Sequence, residues 1–476
     1  MPEKITAANR KHQILEARED QLLTNLLAYA GGQPYIEARL SRMPAESDTD
    51  FLGDASQVPP SLGRRDRAIV VNYMRRIATK INQYVFASGV AREKMDPKYG
   101  ADITATGVSL NQFMADVSSA LTVQRWCWAG VDRPAMPTPR SVAAGEKSGD
   151  RIFWRLYNAT DVVDWRYDIS GKLSWLVTAD EEYDNSDPES AATVTPVRYL
   201  WKPGQVTRMA ITKKDGNTVV TREDIPFGLQ EVPFLQIGLI SADPWWADEV
   251  ERIQRCIMDL LSSRDTQIFR AVFALLVVSQ SFAAETADTG SKTKEARRKI
   301  GVGNPIVEAP EDKGLTRYLA PPPEVFQVIG DAVKQLEAQL YEIVGLNMSV
   351  PESRQVASAE AKSWDHLDPE TVLAERATIL EETENKLVEL SARLGGPNFT
   401  PWTAKYSKAF DISDFKADME GILTATNLVS SPRAGAMIER AAIKSIAREF
   451  DVEDAERDAA LADVEAVAKA AQTAVA

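Results

Sequence analysis

Apolar positions along this chain follow two rhythms, and the switch between them sets its organisation. Up to about residue 130 they recur every three or four residues, the spacing of one helical face. Ile14, Leu15, Leu22, Leu23, Leu26 and Leu27 predict one helix over residues 1–30, stopped at Gly31-Gly32. A short helix is expected over Tyr35–Met43, then a polar loop, Ala45–Arg64, carrying Pro59-Pro60. Ile69, Val70, Tyr73, Met74, Ile77, Ile81 and Val85 form a stripe that predicts a helix over Asp66–Gly89, and Leu110–Trp128 reads as another.

The character changes at Arg133, where Pro134, Pro137 and Pro139 mark a linker. The pattern then becomes strand-like over Phe153–Tyr157, Val162–Tyr167, Leu173–Ala179, Val197–Trp201, Gln205–Ile211, Thr218–Thr221 and Phe234–Ile240. Lys214-Asp215-Gly216-Asn217 has hairpin-turn chemistry, so a mostly antiparallel sheet is expected.

Two long amphipathic stretches follow, Trp246–Val278 and Glu324–Val344, bracketing a Gly- and Pro-punctuated segment, Ser281–Pro323. After a break at Leu346–Ser358, a third long, acidic helix runs from about Ser358 to Leu394, kinked at Pro369 and stopped by Gly395-Gly396. Trp402–Phe410 reads as a strand, and Phe415–Val429 and Ser431–Ala476 as helices. The fold class is α+β, mainly helical, with no internal repeat.

The 476 residues, 44% hydrophobic and 26% charged, are ordinary for a globular chain with room for two or three domains. The longest apolar run, Ala271–Val278, falls short of the roughly 20 residues of a membrane span, and Met1–Asp20 has no signal-peptide pattern. The two cysteines, Cys127 and Cys256, suit a reduced compartment and are expected to be buried structural thiols. A net charge of −14 argues against a tight grip on nucleic acid without excluding a surface past which DNA slides.

Chemistry is sparse. The two histidines, His12 and His366, stand alone and read as packing or surface residues. There is no Cys/His metal spacing, GxSxG, HExxH or P-loop, so no cofactor, metal or ATP-driven step is expected. Ala287-Asp288-Thr289-Gly290-Ser291 spells an aspartic-protease signature, but that chemistry needs two such aspartates. Lys292, Lys294, Arg297, Arg298 and Lys299 form a basic run, either a solvated helix face or a docking patch. Acids gather on the last two long helices: Glu324, Asp331, Glu337 and Glu342 on one, and Glu360, Asp365, Asp368, Glu370, Glu375, Glu381, Glu382, Glu384 and Glu389 on the other.

Several short patches follow a familiar order: Gly31-Gly32-Gln33-Pro34-Tyr35, Asp161-Val162-Val163-Asp164-Trp165-Arg166, Glu231-Val232-Pro233-Phe234 and Ala357-Ser358-Ala359-Glu360-Ala361. With the element order, they make about residues 25–450 resemble the portal proteins of tailed bacteriophages. The last patch departs from that family's Ser-Gly-x-Ala helix start at Ala359 and Glu360. The resemblance implies a wing over 1–245, stem helices over 246–278 and 324–345, a clip over 279–323, a tunnel loop over 346–358, a long wing helix and strand over 359–414, and a helical crown over 415–476. It implies a homo-oligomeric ring, commonly of twelve subunits, at one capsid vertex of a virion assembled in the bacterial cytoplasm.

The partners so implied are double-stranded DNA held weakly and non-specifically, the terminase large subunit, a head–tail adaptor and the major capsid or scaffold protein, with no membrane and no catalysis. Asn347, Ser353, Arg354 and Gln355 would face the channel from the tunnel loop. Asp331, Glu337 and Glu342 would form an acidic lumen, and the basic run at Lys292–Lys299 would dock the motor or connector. A non-portal helical adaptor and a dimeric aspartic protease at Asp288 are the rival readings.

Overall fold

The computed structural model describes residues 9–44, 46–54, 56, 61–87, 89–133, 151–184, 192–214, 217–272, 275–279, 306–308, 317–319, 324–344, 359–395, 399–408, 410, 437–440, 442–443, 457 and 459–464. The chain divides into two compact units. The first comprises Met1–Met348 with Val372–Lys408, the second Ser349–Thr371 with Ala409–Ala476.

The first unit opens with α1 (Gln13–Ala30), which ends as its sequence requires. Gly31 adopts φ 67° and returns its amide to the Leu27 carbonyl, and a Cβ there would collide with the Asn72 side chain. Next come α2 (Gly32–Arg39), α3 (Asp48–Leu52) and a two-stranded ribbon, β1 (Gly53–Asp54) with β2 (Ser61–Leu62). The helix expected over Asp66–Gly89 is instead two, α4 (Arg64–Arg67) and α5 (Tyr73–Ala87). Between them Ile69 leaves the apolar stripe and stands 71% exposed. Then follow β3 (Val90–Glu93), α6 (Pro97–Ala101) and α7 (Leu110–Gln124).

The reading of Leu110–Trp128 as one helix is corrected at its end. The α7 helix stops at Gln124, Arg125 takes φ 71°, and β4 (Trp126–Asp132) begins at once. This strand lies between β5 (Phe153–Asn158) and β11 (Phe234–Gly238). Buried on both faces, it reads as an unbroken apolar run, which periodicity cannot distinguish from a buried helix.

The single sheet expected over these strands is divided: β5 and β11 flank β4, and the rest form a second sheet. There an antiparallel meander joins β6 (Val162–Tyr167), β7 (Leu173–Asp184), β8 (Thr193–Lys202), β9 (Gln205–Lys214) and β10 (Asn217–Pro226) in sequence order, and β7 to β10 run longer than expected. Lys214 pairs with Asn217, as a two-residue hairpin turn requires. A core that includes Trp126, Trp128, Leu176, Trp201, Val206 and Phe234 draws on both sheets, and Leu15 and Leu22 of α1 belong to it.

Helix α8 (Trp246–Val272) is shorter than expected. The apolar run that seemed to complete it forms β12 (Leu275–Ser279), the centre of a small sheet. This strand pairs in parallel with β13 (Ile306–Glu308) and antiparallel with β14 (Arg317–Leu319). Helix α9 (Glu324–Ile343) then packs on α8. Helix α10 (Ala359–Gly395) includes Pro369. The last strand, β15 (Thr403–Tyr406), is shorter than expected and pairs with β3. In the second unit, 437–440, 442–443, 457 and 459–464 are helical. No helix among the described residues is long and apolar enough to cross a membrane.

Candidate functional site: the paired long helices and their anchor

The long helices are held by polar groups that face inward. At the start of α8, Asp248 takes a two-pronged contact from Arg18 Nη2, at 2.9 and 2.8 Å, and the Asn25 side-chain amide at 2.8 Å. It also accepts the amide of Trp245, the residue before the helix, at 2.9 Å, the return contact of a capping box. One turn on, Glu251 accepts Arg39 Nε at 3.0 Å and the Tyr35 hydroxyl at 3.2 Å. Gln254 then bridges the Met74 amide, at 3.0 Å, and the Ala28 carbonyl, at 3.1 Å. Ser262 accepts Arg64 Nη1 at 3.1 Å, and the same guanidinium holds Glu46 at 2.7 Å and the Ser41 carbonyl at 2.5 Å.

All these α8 residues are buried, and their partners lie on α1, α2, α4, α5 and the loop beside them. A buried charge is tolerated only when its hydrogen bonds are made. The sequence carried a usable signal: Glu251, Gln254 and Ser262 fall on the same helical stripe as Ala247, Val250 and Met258.

The expected acidic lumen is divided. Asp331 and Glu342 are exposed on α9, and so is Lys334. Glu337 is half-buried and accepts the Tyr73 hydroxyl of α5. Burial, with this carboxylate beside it, pushes the Tyr73 phenol well above its ordinary range. Leu340 is fully buried, whereas Val328 is 68% exposed.

On α10 the acids serve different ends. Glu384 lies in the buried stripe with Leu373, Ala377, Leu380, Leu387 and Ser391. Its carboxylate receives Arg92 Nε at 2.6 Å, Arg92 Nη2 at 3.0 Å, the Trp402 indole at 3.0 Å and the Tyr406 hydroxyl at 2.8 Å. Glu381 accepts the Tyr406 amide at 2.9 Å and Lys408 at 3.0 Å. Asn385 both donates to and accepts from the Ala404 backbone. These three side chains fasten β15 to α10, so Glu381 and Glu384 are structural. Glu375, Glu382 and Glu389 remain exposed.

The basic run Lys292, Lys294, Arg297, Arg298 and Lys299, the loop residues Asn347, Ser353, Arg354 and Gln355, and Asp288 lie outside the described residues. The expectation of two buried thiols is half corrected. Cys127 is buried, and burial pushes its thiol up to about 12. Cys256 is exposed, because it falls off the α8 stripe that meets α1 and α5. His12 turns out to have a definite role, accepting the Ile14 amide at the start of α1.

Between the two sheets a cleft of about 640 Å³ is lined by Tyr157, Tyr199, Trp201 and Phe227 with Asp132 and Arg155. Its chemistry is aromatic walls with a few charges, and sequence reading did not anticipate it.

No protein-family model matches the chain, and no curated protein matches it. Among solved structures, one chain of the virion of a native gene transfer agent particle aligns at 10% identity and a TM-score of 0.34. That alignment covers 88% of this chain and 98% of the other. A chain from the neck of an empty gene transfer agent particle aligns at 9% identity and a TM-score of 0.30, covering 85% and 96%. Superpositions this loose carry no functional argument.

Proposed function

We propose that this chain is the subunit of a closed homo-oligomeric ring of the portal type, which lets double-stranded DNA pass and bears the docking surface for a packaging motor and a head–tail connector. The observation that carries this reading is the arm built by α8, the β12–β14 sheet and α9. One helix leads out, a small sheet follows, and a second helix returns beside the first. The base of α8 is locked by Arg18–Asp248 and Arg39–Glu251. A subunit that exposes such an arm can repeat it around an axis through heterologous contacts.

On this reading Asp331 and Glu342 give the wall a repulsive charge that keeps DNA adhesion low, and Glu337 serves the attachment of α9 to α5. Arg354 supplies one transient phosphate contact per subunit, too little to hold the duplex. Electron microscopy of the purified chain in negative stain tests the proposal. Rings with a central hole are the expected outcome; small compact or elongated particles at micromolar concentration overturn it.

A further inference from the structure

We propose that His12 is an acid-released helix cap: when its imidazole is protonated it lets go of the first turn of α1 while staying on β6. Three contacts define the site. Nδ1 accepts the Ile14 amide at 3.3 Å. The ring lies flat on Trp165 of β6, with centroids 3.9 Å apart and planes 15° from parallel. The His12 amide donates to the Val163 carbonyl at 2.8 Å.

The cap requires the neutral tautomer with its proton on Nε2, because only then is Nδ1 an acceptor. A proton on Nδ1 sets a donor against the Ile14 N–H and places a cation at the positive end of the helix dipole. The stack on Trp165 survives protonation, since a cation over an indole face is attracted to it. The cap is therefore lost while the ring stays in place.

The charged groups around the ring come from each neighbouring segment. Asp164 of β6 pairs with Arg10 Nε at 2.9 Å. Arg198 of β8 donates to the Arg10 carbonyl at 3.0 Å. Lys11 pairs with Glu19, and Glu16 lies in the first turn of α1. Burial holds the imidazole below its ordinary range; Asp164 opposes this and Arg10 adds to it.

The sign follows. An unfolded histidine takes its proton near pH 6.5, and the folded ring takes it lower. Below that point the unfolded chain binds more protons, so the cap's contribution is full above about pH 6.5 and declines as pH falls through the lower folded value.

Amide hydrogen exchange of the full chain, read on the peptide spanning Ile14–Arg18 and corrected for intrinsic rates, tests this. Between about pH 7.5 and about pH 4, where a ring held below its ordinary range is protonated, protection in the wild type is expected to fall about fivefold, the factor typical of one lost cap. His12→Asn, which caps without titrating, is expected to keep its protection at both values, and His12→Ala to lack it at both. Equal wild-type protection at the two values overturns the proposal. So does a fall in His12→Asn as large as the wild type's, which would assign the change to the carboxylates nearby.

Discussion

At the scale of single residues, position on a helix decides what a side chain does more than its type does. Glu384 and Glu382 are two residues apart in one acidic helix, yet the first is fully buried under four donors and the second is exposed. The sequence showed both as members of an acidic run. Only the coincidence of Glu384 with the Leu380–Leu387 stripe separates them. The cysteines divide in the same way. Cys127 lies in β4, with its thiol raised to about 12 by burial, and Cys256 lies on the open side of α8. Because the thiolate is the reactive form, a thiol reagent at about pH 8 should label Cys256 in the native chain. Cys127 should label only in denaturant. Cys256→Ser should leave the native chain unlabelled, and rapid labelling of that variant would contradict the burial of Cys127.

Among elements, the legible parts were those with one exposed and one buried face. The stripes of α1, α5, α8 and α9 and the alternation of β6 to β9 were readable, because water on one side leaves a period in the sequence. The misread parts lack that contrast: β4 is almost wholly buried, and β12 lies in the unbroken apolar run that begins at the end of α8. The break between α4 and α5 was missed because Ile69 fits a stripe that the backbone does not follow. Junctions between elements were also hidden, since contacts such as Arg18–Asp248 join distant segments. That junction gives a prediction. Asp248→Ala strands Arg18 as a buried, unpaired cation and removes the capping-box contact of α8, and loss of one partner of a buried pair costs about 3–5 kcal/mol. Urea unfolding should show a loss of at least about 3 kcal/mol with the slope unchanged. A loss below about 1 kcal/mol would mean that water reaches Arg18.

For the whole molecule, the question is what covers the outer side of the arm. Val328 on α9 is 68% exposed, and its neighbours Asp331 and Lys334 are exposed as well. In the ring proposed above, this side would meet either the next subunit or the channel. Val328→Asp should leave the unfolding midpoint of the single chain within about 0.5 kcal/mol of wild type, as surface changes do. If the next subunit covers Val328, native mass spectrometry should show the ring population reduced severalfold. An unchanged ring population would place Val328 on the channel side. The Arg18–Asp248 link also orders events in time. Its partners lie 230 residues apart, so a ribosome adding about 5–20 residues per second needs roughly 10–50 s between them. Throughout that interval the nascent α1 presents Arg18 and Asn25 without the carboxylate that settles them. The N-terminal helices have contacts of their own, α1 on α2, α5 and α7, that can form first, but the polar anchor between them and α8 is completed only after the start of α8 has left the ribosome.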